Sequence, residues 1–257
     1  MFYIKENKLN CEFEKGDLVK LDSSNFFGRG VFETILLKRK CVFLEEHLER
    51  LREGCKILDL ECNISKEEVE SFVERENIKN KALKITVTEK NIIISLREIP
   101  YNKKNYDEGF ALKISKVLRN STSNLTYIKS TCYVENLIEK EKGRKEGFSE
   151  VIFLNERGEI TEGATSNLFF LKENNIYTPK VRSGLLNGII RKWIIKNYSV
   201  IEGSYTLEDL KNSDGIFLTN SLMGIMKVNR LENLMFNENR IIEDIRIKYE
   251  RSLKEFL

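Results

Sequence analysis

The chain has 257 residues, 41% hydrophobic and 32% charged, enough to bury a core in one large domain or two modest ones. Its 43 basic and 40 acidic residues are scattered and leave a net charge of +3, which excludes a nucleic-acid-binding stripe. No apolar run is long enough to cross a membrane, and the N-terminus reads as a strand rather than a signal peptide.

In chain order, strand-like alternation opens the sequence and is followed by a loop, LDSSNFFGRG, and a β-rich run, VFETILLKRKCVFL. Lys38-Arg39-Lys40 reads as a solvated hairpin tip. In EEHLERLREGCKILDL, Leu48, Leu51, Cys55 and Leu58 recur at helical spacing. Ser65 and Glu68 form a capping-box pattern that opens a second helix. KALKITVTE and NIIISLREI predict two strands joined at Lys90-Asn91, and FALKISKVL a third in the same antiparallel set.

The polar segment RNSTSNLTY predicts a connection between two lobes. The expected division is an N-terminal α/β lobe over residues 1–118, a connection over 119–127, and a larger lobe over 128–257. The second lobe reads as a helix from Thr131 to Glu146, a hairpin around Glu156-Arg157-Gly158 and a turn at Asn174-Asn175. A helix from Asn187 to Tyr198, strands at Gly215–Asn220 and Gly224–Val228, and a C-terminal amphipathic helix complete it. The fold class is α/β (α+β).

Five cysteines without CxxC spacing read as reduced thiols of a cytoplasmic protein, and a single histidine, His47, argues against a multi-His metal site or a Ser-His-Asp triad. No metal is expected. Lys129 lies where an apolar-aromatic stretch meets a helix. Partial burial there favours the neutral amine that Schiff-base chemistry needs, although most lysines are solvated charges. Glu162 sits among small residues. It reads either as an exposed strand carboxylate or as the partner of a pyridine nitrogen. Ile189 and Ile190 follow Gly188 at a helix start whose amides could receive a phosphate, and Asn220-Ser221 form a second donor cluster. Arg50 offers a bidentate charge. Gly28-Arg29-Gly30 lacks the third glycine and helix of a nucleotide loop.

Six stretches, FFGRGVFETI, HLERL, IKSTCYVEN, GEITEGATSNLFF, YTP…SGLLNGIIR and FLTNSLMGIMKV, occur in the order of the class IV pyridoxal phosphate enzymes, and the chain resembles that family over nearly its full length. The resemblance implies a two-lobed fold with pyridoxal 5'-phosphate in the interlobe cleft, and a homodimer. Lys129 would hold the cofactor aldehyde and shuttle protons, and Glu162 would face the pyridine nitrogen. Leu186 would lie against the ring. Arg50, the amides of Ile189 and Ile190, and Asn220 with Ser221 would hold the phosphate.

Within the family, the wording around Asn187 and Leu222 is similar to the 4-amino-4-deoxychorismate lyases, with a branched-chain or D-amino acid transaminase as the alternative. The implied substrate is a small amine bearing carboxylates, and Arg97 is its expected partner. His47, one turn before Arg50, is expected to support it. Arg29 stands where an aspartate is common, and Ile190 where a threonine is.

Overall fold

The structure, a computed structural model, describes the backbone of residues 2–7, 10–12 and 19–257, with side chains from residue 19 onward. The chain forms two compact units. One comprises Met1–Pro100, Ile128–Cys132 and Leu253–Leu257, and the other Tyr101–Tyr127 and Tyr133–Ser252.

The first unit is a five-stranded sheet of order β2-β1-β5-β4-β3, built from β1 (Phe2–Asn7), β2 (Asn10–Glu12), β3 (Gly30–Leu37), β4 (Lys81–Thr88) and β5 (Ile92–Arg97). Strands β3, β4 and β5 pair antiparallel, and β1 runs parallel to β5. Period-2 alternation sends Ile35, Leu37, Leu83, Ile85, Val87, Ile94 and Leu96 to one face. There they pack on Leu48, Leu51 and Cys55 of α2 (Leu44–Ile57) and on Val69, Phe72 and Val73 of α3 (Lys66–Arg75). The Ser65–Glu68 capping box is present, as its spacing predicts.

The loop reading of LDSSNFFGRG misses a short helix, α1 (Ser23–Phe27), which Asp22 caps. Asp22 also accepts bonds from Thr88 Oγ1 and Asn91 Nδ2 at 2.6 and 2.9 Å. Burial opposes its charge, but the hydroxyls of Ser24 and Thr88 and the Lys90 amide hold its carboxyl well below the usual range.

The second unit opens with α4 (Lys103–Glu108) and β6 (Phe110–Arg119), then α5 (Val134–Lys145), β7 (Glu150–Asn155), β8 (Ile160–Gly163), β9 (Asn167–Lys172) and β10 (Asn175–Pro179). It continues through α6 (Ile189–Asn197), β11 (Val200–Gly203), α7 (Leu207–Lys211), β12 (Gly215–Asn220), β13 (Gly224–Leu231), β14 (Leu234–Met235) and α8 (Arg240–Ser252). The sheet order is β11-β10-β9-β12-β13-β6-β7-β8, with β14 on β13. Although β8 and β9 lie far apart in that order, three residues join them, and Ile160 N bonds Tyr205 O just beyond β11. The sheet must therefore curl until its ends approach. Phe170, Ile216, Leu218, Met226 and Val228 form its core.

Strand β6 corrects the sequence reading. It runs parallel to β13 and β7 in the second sheet instead of completing the first. Its inward residues Phe110 and Leu112 are satisfied by Ile152 and Val228, partners distant in sequence. The chain also changes units at 100/101, 127/128, 132/133 and 252/253, which differs from a single connection at 119–127. Residues Asn124–Tyr127, within the expected connection, form a 3-10 turn, and α5 starts at Val134 rather than Thr131.

Candidate functional site

In the first unit, Lys129 is positioned by backbone pairing at the outer edge of β3. Phe32 N bonds Lys129 O at 2.9 Å, Thr131 N bonds Gly30 O at 2.8 Å, and Val31 bridges Ser130. Gly28 makes room for this segment: its φ is +68°, and a Cβ there would lie 2.6 Å from Cys132 Sγ. The glycines of GRG thus accommodate the lysine segment. Lys129 Nζ lies 4.4 Å from the centre of the Phe32 ring, and Lys84 Nζ 4.5 Å from the same ring.

Under β3 lies a residue that the sequence reading missed. Glu33 is fully buried and accepts bonds from Arg50 Nε at 2.6 Å, Arg50 Nη2 at 2.8 Å and His47 Nδ1 at 2.6 Å. Burial opposes its charge, but Arg50 and His47 outweigh burial and hold the carboxyl well below the usual range. Burial pushes His47 down against the pull of Glu33, and its Nδ1 faces the carboxylate as a donor. A carboxylate inside the apolar run VFETILL, on the face of Val31 and Ile35, was the available signal. Arg50, 10% exposed, is thereby fixed in orientation.

Arg97 is exposed at the end of β5, on the face away from the core. Its cross-strand partner is Ala82, and Lys84 lies two residues along β4 on that same face. Arg29 donates to Leu58 O at 3.1 and 2.8 Å and to Asp59 O at 2.9 Å. It therefore caps the C-terminus of α2, a task an aspartate could not perform.

In the second unit, Glu162 on β8 accepts from Leu186 N at 3.1 Å and Asn167 Nδ2 at 3.4 Å, and Arg119 Nη2 stands 4.0 Å from its other oxygen. Asn167 Nδ2 also reaches Leu186 O at 2.7 Å. Glu162 and Leu186 are thus brought together, through the backbone of Leu186. Gly188 is the N-cap of helix α6, and among the described residues no side chain caps the first turn, where Ile189 and Ile190 lie buried. A Cβ at Gly188 would fall 2.0 Å from Asn167 Oδ1. Asn167 pairs with Thr219 across the β9–β12 ladder, and the buried Thr219 Oγ1 has no hydrogen-bond partner among the described residues.

The Asn220 side chain is engaged within its own unit. Its Nδ2 bonds Tyr101 Oη and Thr165 O, and its Oδ1 takes the amides of Leu222 and Met223. The side chain shapes the turn that presents Ser221. Tyr133 is likewise committed, donating to Ala164 O at 2.7 Å.

The family model for class IV amino-transferases matches residues 30–231. The chain belongs to the class IV aminotransferase family. It is 28% identical to the aminodeoxychorismate lyase of Bacillus subtilis, over 100% of this chain and 96% of that protein. It is 27% identical to the D-alanine aminotransferase of Staphylococcus epidermidis, over 87% and 88%. A Legionella pneumophila crystal structure, assigned provisionally as a 4-amino-4-deoxychorismate lyase, superposes with a TM-score of 0.82 at 27% identity, covering 98% of this chain and 99% of that one. The α+β fold is therefore that of the family.

Proposed function

We propose that this enzyme is a pyridoxal phosphate-dependent 4-amino-4-deoxychorismate lyase that releases pyruvate and yields 4-aminobenzoate. The observation that carries this reading is the end-to-end correspondence with the Bacillus subtilis aminodeoxychorismate lyase. The residues fit the cofactor. In the second unit a helix start and a buried threonine hydroxyl, both without a side-chain partner among the described residues, and in the first unit an orientationally fixed Arg50, are each donors suited to a phosphate. Ser221 and the amides of Ile189 and Ile190 complete that set in this reading.

When bound, the cofactor supplies a carbonyl carbon for the substrate amine and a ring that takes up the electron pair left by a departing proton. Lys129 Nζ would hold the aldehyde and would take the proton from the amine-bearing ring carbon of the substrate. Glu162 would balance the charge of the pyridinium nitrogen. Arg97 and Lys84, basic residues on one sheet face, are assigned to the substrate carboxylates.

Transamination is the second reading. Its support is the likeness to the D-alanine aminotransferase, and the core residues alone serve both reactions. The functional form is proposed to be a cytoplasmic homodimer. Val134, Leu137 and Ile138, exposed on one stripe of α5, support the dimer, whereas the inward stripe of that helix carries Asn136, Glu139 and Gly143.

The deciding experiment supplies aminodeoxychorismate and follows 4-aminobenzoate and pyruvate, beside branched-chain L-amino acids or D-alanine with 2-oxoglutarate. Robust transamination without 4-aminobenzoate would overturn the lyase reading.

A further inference from the structure

Arg119 stands at the end of β6 with its guanidinium 3.9 Å from the centre of the Phe153 ring. Its Nη1 donates to Asn136 Oδ1 at 3.1 Å and lies 3.7 Å from Glu135, while Nη2 faces Glu162. Asn136 is itself fixed by a 2.7 Å bond to Ala164 O, two residues after Glu162. The guanidinium is thus clamped on one side by the ring and on another by the amide.

The side chain is only 11% exposed, and its buried Nε has no hydrogen-bond partner among the described residues. A purely structural arginine would be expected to satisfy that donor, because a buried unpaired N–H is costly. The orientation observed leaves Nε unpaired and places the charge beside Glu162. Tyr133, whose hydroxyl feels both Glu162 and Arg119, adds no second charge, because burial pushes its phenol far up. Glu150, the other carboxylate nearby, is paired with Lys140 at 3.2 Å and with Thr165.

We infer that Arg119 is a positioning residue that keeps Glu162 ionised and oriented as the partner of the cofactor's pyridine nitrogen. The assignment rests on the cofactor reading proposed above. A cation near 4 Å favours the charged form of a carboxylate. Without Arg119, Glu162 would accept a proton at higher pH, and a neutral carboxyl no longer balances a pyridinium. Arg119 thereby sets the lower end of the pH range over which the cofactor is held.

The test measures pyridoxal phosphate affinity and the bound-cofactor absorption spectrum against pH for the full chain and for Arg119→Met, Arg119→Lys, Glu162→Gln and the Arg119→Met/Glu162→Gln pair. Methionine keeps the packing on Phe153, and lysine restores charge if methionine fails to fold. The acid-side midpoint should rise by about one pH unit in Arg119→Met and return towards the starting value in Arg119→Lys. In the Glu162→Gln background, Arg119→Met should add less than about twofold. A pH-independent loss, an unmoved midpoint or an undiminished effect without Glu162 would overturn the assignment to Arg119 alone. Failure of the unaltered chain to take up pyridoxal phosphate would overturn both this assignment and the cofactor reading.

Discussion

Glu33 Oε2 and His47 Nδ1 lie 2.6 Å apart beneath the first sheet, with Arg50 bonded to the same carboxylate. One buried anion therefore fixes both the histidine and the arginine of the HLERL stretch. Glu33→Gln should destabilise the protein by about 3 kcal/mol, because removing one member of a buried charge network strands the other. Urea unfolding at neutral pH measures this, and a loss below about 1 kcal/mol would contradict the buried network.

The same carboxylate predicts an acid response. Its folded-state pKa is depressed well below the ordinary carboxylate value, so its contribution is complete above that ordinary value and is lost as pH falls towards the folded one. Stability should decline below about pH 4.5 and do so less steeply in Glu33→Gln. Parallel slopes in unfolding experiments from pH 5 to pH 3 would assign the decline to other carboxylates, Asp22 first.

Lys129→Ala should lower turnover by about a hundredfold or more, since it removes the group assigned to proton transfer. Borohydride treatment of the unaltered enzyme should fix the cofactor's mass to the peptide containing Lys129. Attachment elsewhere would remove Lys129 from its role.

Gly188→Ala should cost about 1–3 kcal/mol through overpacking, because the new Cβ meets Asn167 Oδ1. Displacing Asn167 also loosens Leu186 and Glu162, so pyridoxal phosphate affinity should fall with stability. Calorimetry with and without cofactor separates the two effects, and retained affinity would detach Asn167 from the site.

Arg29→Asp installs the residue that the family resemblance leads one to expect here and should lower stability by about 1 kcal/mol, since the half-exposed guanidinium bonds two carbonyls at the end of α2. Catalytic constants should be unchanged. A lowered kcat at unchanged melting temperature would instead give Arg29 a part in the reaction.

The local chemistry was legible in the chain before any fold was known. Period-2 alternation marked β4 and β5, Ser65 and Glu68 marked a helix start, and Lys129, Glu162 and Gly188 stood out because an amine, a carboxylate and a helix start suit one cofactor. These are short-range properties, set by side-chain chemistry and by neighbours a few residues away. Tertiary structure alone decided which strand β6 joins, that the lysine segment pairs with β3, and that Glu33 orients Arg50. Each depends on a pairing between residues far apart in sequence, and no local pattern encodes that register. It likewise decided that Arg119, which reads as the first residue of a polar connection, stands beside Glu162.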